Sequence, residues 1–135
     1  MKVYDCFMYF DEDVILDLRL NYLNPYVDKF VIVESKFTHS GKKKELLFDI
    51  KKFKNFENKI TYLSIDHEPE EIQIVNEQDN HIDKSGKSIF NATKRENYQR
   101  NYLSKGLEGA DPEDIILISD IDEIPNLKKI KFKSI

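Results

Sequence analysis

With 135 residues, 40% of them hydrophobic and 34% charged, the chain has the size and composition of one globular domain, able to bury a core without disulfides. The balance of 21 basic and 25 acidic residues gives a formal charge of −4, which argues against a strongly basic nucleic-acid face. A lone cysteine excludes a disulfide framework, no apolar run reaches the roughly 18–20 residues of a membrane span, and Met1 is followed by no apolar leader, so a reducing, cytoplasmic setting is expected.

The pattern alternates strands and helices. Residues 3–10 (VYDCFMYF) predict a buried or half-buried strand, with Cys6 as a small buried hydrophobe. Asp11, Glu12 and Asp13 then place carboxylates where a helix N-terminus favours them. Val14, Ile15, Leu18 and Tyr22 recur at helical spacing, and Asn24-Pro25 ends the helix. Residues 29–34 (KFVIVE) predict a second strand, apolar throughout its middle as in a sheet covered on both faces. Residues 37–44 form a loop. Leu46, Leu47, Ile50, Phe53 and Phe56 predict a second amphipathic helix or helix-loop, and residues 60–65 (ITYLSI) a third strand. Residues 66–87, with seven acids and two lysines, predict a long mobile loop: a lid, an acceptor-side loop or an insertion. Residues 91–107 predict a third helix carrying Lys94, Arg95, Arg100 and Lys105, residues 114–119 (DIILIS) a last strand, and residues 126–135 the beginning of another helix.

This order predicts an α/β fold, a nucleotide-binding sandwich with a mainly parallel sheet flanked by helices, in a single domain spanning 1–135. Ligands of such sheets bind beyond the carboxyl ends of the strands, which directs attention to residues 10–13, 34–41, 66–68 and 119–123. Asp120 and Asp122 stand two apart, so extended backbone would put both carboxylates on one face. Two such carboxylates are stable together only with a proton or a cation between them. At the mouth of a sheet that cation is Mn²⁺ or Mg²⁺ shared with a diphosphate, with Glu123 adding charge nearby. The plain alternative is an acidic turn whose aspartates cap the next segment of backbone. Four glycines in the whole chain provide no glycine-rich phosphate loop, and His39, His67 and His81 are too scattered for a zinc site. His39 fits better as a polar group near the mouth of the second strand. Glu34 is either an exposed strand end or a hydrogen-bonding partner for a ribose or base. Arg95 and Arg100 fall on different faces of their helix, and one of them could pair with a pyrophosphate.

The segments YDCFMYFDED, LDLRLNYLNPYVDKFVIVES, THSGKKK, RENYQRNYLSKGL and ILISDIDEIP carry a resemblance. They look like the N-terminal half of family-17 glycosyltransferases, the β-1,4-N-acetylglucosaminyltransferases of the bisecting type and their microbial relatives, with the match weakest over residues 66–87. The resemblance implies a GT-A fold, a UDP-sugar donor (UDP-N-acetylglucosamine), an inverting transfer to a glycan or other hydroxyl acceptor, and a divalent metal. It places Asp122 as the metal and diphosphate ligand and Asp120 near the donor ribose or sugar, where it could share the metal. Glu34, Arg95 and the loop at Asp11 are further donor-site candidates. It assigns no general base. A GT-A transferase continues well beyond its metal motif, so the expectation is a domain truncated at its C-terminus, its sheet completed by a second chain or an oligomer. The alternative function is a non-catalytic donor-binding or interaction module. A small metal-dependent phosphohydrolase is a third reading.

Overall fold

The computed structural model describes residues 1–131. Its strands are β1 (Val3–Met8), β2 (Lys29–Ser35), β3 (Ile60–Ile65) and β4 (Ile115–Ile118). They form an all-parallel sheet in the order β3-β2-β1-β4, as the alternating pattern predicts. The chain steps outward from β1 to β2 to β3, then crosses back to lay β4 on the other side of β1.

Both sheet faces are covered over β1 and β2, which is why the middle of β2, Phe30 to Val33, can be apolar without interruption, whereas Ile116 and Ile118 of β4 are exposed. On one face Phe7, Phe30 and Ile32 meet Leu16, Leu20 and Leu23 of helix α1 (Asp13–Leu23), together with Phe53 and Phe56 of a 3-10 segment, Ile50–Phe56. On the other, Cys6, Val31, Val33 and Ile65 pack under Leu103, Tyr98 and Tyr102, from helix α2 (His81–Tyr102) and the 3-10 turn Leu103–Leu107 that ends it. Each fully buried side chain of this size contributes roughly 1.5–3 kcal/mol. Gly106 lets that turn lie directly on β2: a Cβ there would sit 2.4 Å from Val31 Cγ1.

Three expectations are corrected. The first helix buries Leu16, Arg19, Leu20 and Leu23, whereas Val14, Leu18 and Tyr22 of the predicted stripe are exposed, Val14 to 83%. Apolar residues surround this helix, so spacing alone does not choose a face; the choice is made by Arg19, whose charge finds a buried partner. Of the second predicted element, a helix or helix-loop, the continuous helix is excluded: residues 46–49 are irregular and precede the 3-10 segment, and the Leu47 and Phe48 N–H groups donate to the Glu34 carboxylate at 2.7 and 3.1 Å. Phe48 instead lies flat between Tyr62 and Phe53, with ring centroids 4.7 and 6.0 Å away. Helix α2 begins at His81 rather than Asn91, capped by Asn80, whose side chain accepts the Asp83 N–H at 2.8 Å. The predicted 66–87 loop therefore narrows to residues 66–80. Of the last predicted helix, residues 127–129 form a 3-10 turn, and residues 132–135 lie outside the described residues. Among the described residues no helix is long and apolar enough to cross a membrane.

Candidate functional site

Beyond β4 the backbone turns rather than staying extended. The Glu123 N–H donates to the Asp120 carbonyl (2.9 Å), the Asp120 N–H to Glu123 Oε1 (3.0 Å), and the Ser119 hydroxyl to the Glu123 carbonyl (3.1 Å). Ile121 is tucked into the core. The side chains of Asp120 and Asp122 are thus not aligned by strand alternation, yet both line one cavity of ≈ 790 Å³. That cavity also takes in Met8 and Ser35, the carboxyl ends of β1 and β2. It sits where the strand order reverses, the usual place for a ligand in an open parallel sheet. The Asp122 carboxylate has no hydrogen-bond or ion-pair partner among the described residues. Asp120 lies 3.5 Å from Arg100, which also holds Glu96 at 3.1 Å.

The opposite wall comes from the loop after β1, through Tyr9, Phe10 and Glu12, and from the loop after β2, through Phe37 to Ser40. Tyr9 donates to Asp13 Oδ1 at 2.5 Å. Burial first, and this bond second, push the Tyr9 phenol upward; the same bond is the main reason that Asp13 is held below the usual carboxylate range. Glu12 Oε2 accepts the N–H groups of Phe10 (3.0 Å) and Asp11 (3.2 Å), which fixes the loop. Gln99 pins the second loop, donating to the Phe37 carbonyl and pairing with His39 Nε2, both at 3.2 Å.

The remaining sequence candidates fall outside the cavity wall. Asp11 is exposed, and its neighbour Glu12 takes the place predicted for it. Glu34 is buried on the α1 face, its carboxylate engaged by Lys44 Nζ (2.7 Å), the Tyr62 hydroxyl (2.7 Å) and the two loop amides described above. Arg95 is buried behind the second loop, donating from Nε to Glu68 Oε1 at 2.9 Å and from Nη1 to the His39 carbonyl at 3.1 Å. Gly41, at φ 90°, makes room for it: a Cβ there would lie 2.6 Å from Arg95 Nη2. Arg95 thus supports the loop from behind. Glu12 lies in the 10–13 window that the sequence singles out, whereas Tyr9 and Gln99 were not anticipated. Of these two Gln99 left a signal, since Asn91, Arg95 and Gln99 recur every four residues and mark one polar face of α2.

Behind the Asp120–Glu123 turn lies a buried ion pair. Arg19 donates from Nε and Nη2 to the two oxygens of Asp5 at 2.8 and 2.7 Å, both side chains being fully buried. Its guanidinium carbon stands 4.6 Å from the centre of the Phe7 ring. Arg19 also reaches the turn itself, through the Ser119 hydroxyl (2.6 Å) and the carbonyls of Asp120 (2.8 Å), Ile121 (3.1 Å) and Glu123 (3.0 Å).

The model of Glycosyltransferase family 17 matches residues 1–134. This chain belongs to glycosyltransferase family 17. Two curated relatives, the human and rat proteins named beta-1,4-mannosyl-glycoprotein 4-beta-N-acetylglucosaminyltransferase, are each 30% identical to it over 119 residues, covering 82% of this chain and 19% of the relative. The family-17 chain thus spans about a fifth of the length of these relatives. No solved structure matches it.

The chemistry of the family-17 cavity is acidic and oxygen-rich. Glu12, Asp120 and Asp122 line it, and among the described residues no lysine or arginine does. Among the described residues no group of three or more His, Cys, Asp or Glu is gathered as a complete metal cage. Two carboxylates lining one cavity, that of Asp122 without a partner among the described residues, instead suit a hard divalent cation that draws its other oxygens from water and phosphate. The residues present fit such an ion.

Proposed function

We propose that this chain forms the donor-binding part of a metal-dependent glycosyltransferase, which transfers N-acetylglucosamine from a UDP-sugar, with inversion, to a glycan or other hydroxyl acceptor. The observation that carries the reading is the Asp122 carboxylate, without a partner among the described residues, lining with Asp120 the cavity where the strand order of a family-17 chain reverses. The sugar follows the printed name of the human and rat relatives. A diphosphate would be repelled by three carboxylates, so its binding requires a neutralising cation. Asp122, with Asp120 beside it, would hold Mn²⁺ or Mg²⁺, which when bound offsets the charge that grows on the departing diphosphate.

The chain's own groups do the rest. Phe10 and Phe37 offer aromatic faces for a base or sugar ring. Thr38, His39 and Ser40 present hydroxyl and imidazole groups for ribose or sugar hydroxyls, on a loop fixed by Gln99 and Arg95. Among the carboxylates of the cavity, Glu12 is engaged by two amides and Asp120 lies beside Arg100. That leaves Asp122 for the metal and no free carboxylate to deprotonate an acceptor. The same observation supports a second reading, a donor-binding module that does not itself complete transfer.

The test is a thermal melt with UDP-N-acetylglucosamine, with and without Mn²⁺, for wild type and Asp122→Ala. A ligand at about a hundredfold excess over Kd adds about 2.7 kcal/mol. The expected outcome is a rise that needs Mn²⁺ and disappears in the variant. No Mn²⁺-dependent rise in wild type would sink the proposal. Release of N-acetylglucosamine to an added glycan then separates the transferase from the binding module.

A further inference from the structure

We infer that the buried Asp5–Arg19 pair is the positioning device of the Asp120–Asp122 turn, setting the affinity of that turn for a cation–diphosphate without touching the ligand. The ligand part of this inference rests on the proposed function; the positioning part does not.

The sheet cannot hold the turn by itself. The ladder between β1 and β4 ends with Cys6 opposite Ile118, and its last backbone bond, from the Ser119 N–H to the Cys6 carbonyl, is stretched to 3.3 Å. From there onward the anchoring passes to Arg19. Its Nη1 gathers three carbonyls of the turn, those of Asp120, Ile121 and Glu123. The Asp120 and Ile121 carbonyls belong to peptide planes flanking Asp120 and Asp122, and the Glu123 carbonyl closes the turn, so fixing them fixes where both carboxylates leave the backbone. Arg19 is in turn fixed by both oxygens of Asp5 on the central strand. A planar guanidinium can hold two carboxylate oxygens and a fan of carbonyls at once; an ammonium, with three donors, cannot. Stability is a weak reason for such a pair, because a buried ion pair is often replaced by apolar side chains of similar shape at no net cost. Its geometric use is the turn.

The experiment uses the full chain and the double variant Asp5→Leu/Arg19→Met, which removes both charges together while keeping side-chain shape. In the absence of ligand, hydrogen exchange at the amides of Ser119 and Glu123 is expected to speed up at least tenfold, while the amides of β2 are unchanged. In the presence of Mn²⁺ and UDP, Kd is expected to rise at least tenfold. A folded double variant with unchanged exchange at Ser119 and Glu123, or with an unchanged Mn²⁺–UDP Kd, overturns the inference. If the double variant does not fold, Arg19→Lys replaces it. That change keeps a cation for Asp5 but removes the fan of donors that reaches the Asp120, Ile121 and Glu123 carbonyls, so exchange at Glu123 should still rise several-fold, and unchanged exchange overturns the inference. If wild type binds no Mn²⁺–UDP, the proposed function fails, and the exchange arm alone decides the role of Arg19.

Discussion

A carboxylate at the end of a strand beside a ligand cavity invites a binding role, and Glu34 occupies that position in sequence. Its neighbours give it a different one. Lys44, the Tyr62 hydroxyl and the amides of Leu47 and Phe48 converge on its two oxygens, so it organises the segment between β2 and the following 3-10 turn. Glu34→Ala would leave a cation, a hydroxyl and two amides without their acceptor, an expected loss of about 3 kcal/mol in urea unfolding. If Glu34 serves structure alone, the folded fraction of that variant binds Mn²⁺–UDP with unchanged affinity; a tenfold weaker Kd would return Glu34 to the binding site. Gly41 makes a complementary case. Its φ of 90° and its contact with Arg95 leave no place for a side chain. Gly41→Ala should cost about 1–3 kcal/mol, read by the same unfolding measurement, with the strain falling on the loop that carries His39.

At the scale of elements, the 3-10 turn Leu103–Leu107 is the joint between α2 and the sheet. A methyl at position 106 would press into the fully buried Val31 of β2. Gly106→Ala is therefore expected to destabilise by about 1–3 kcal/mol through overpacking, although Ala is otherwise the better helix residue. A thermal midpoint at or above wild type would contradict this packing. The strands were legible in the sequence because β2 and β4 are continuous apolar runs bounded by polar residues, a signal that survives without tertiary information. The face of α1 was not, since Arg19 is internal only because Asp5 waits on the neighbouring strand, and no periodicity reports a partner fourteen residues away. The choice between helix and helix-loop over 46–49 stayed open for the same reason: helical spacing is present, and the Glu34 carboxylate that holds the Leu47 and Phe48 amides comes from a strand thirteen and fourteen residues away. At the cavity, Asp120 and Asp122 were found by residue type. Their turn is closed by bonds three and four residues apart, as the acidic-turn alternative allowed, but its anchoring by Arg19 is a consequence of contacts between distant parts of the chain.

Across the whole molecule, burial of neutral protons sets the alkaline limit of stability. Cys6 lies in the sheet centre, and its thiol is pushed from its ordinary 9.0 to about 12, chiefly by burial, then by the Asp5 charge, with Arg19 partly opposing. The phenols of Tyr9 and Tyr62 are pushed up as well, by burial and by their bonds to Asp13 and Glu34. In each case the native state keeps a proton that the unfolded chain releases, so stability is complete below the unfolded pKa and falls as pH rises above it. On the acid side the sign reverses. Asp13 titrates below its ordinary 3.8 because of its bond to Tyr9, so that contribution is present above this value and lost as pH falls through the lowered pKa. The urea midpoint should therefore be flat from about pH 5 to about pH 9 and decline on both sides. Cys6→Ala isolates the first step of the alkaline limb. The variant loses some packing at every pH, about 1 kcal/mol, but its alkaline decline should begin about one pH unit later, where the tyrosines take over. Parallel curves for wild type and Cys6→Ala between pH 9 and 10 would show that the thiol proton is not what the native core retains.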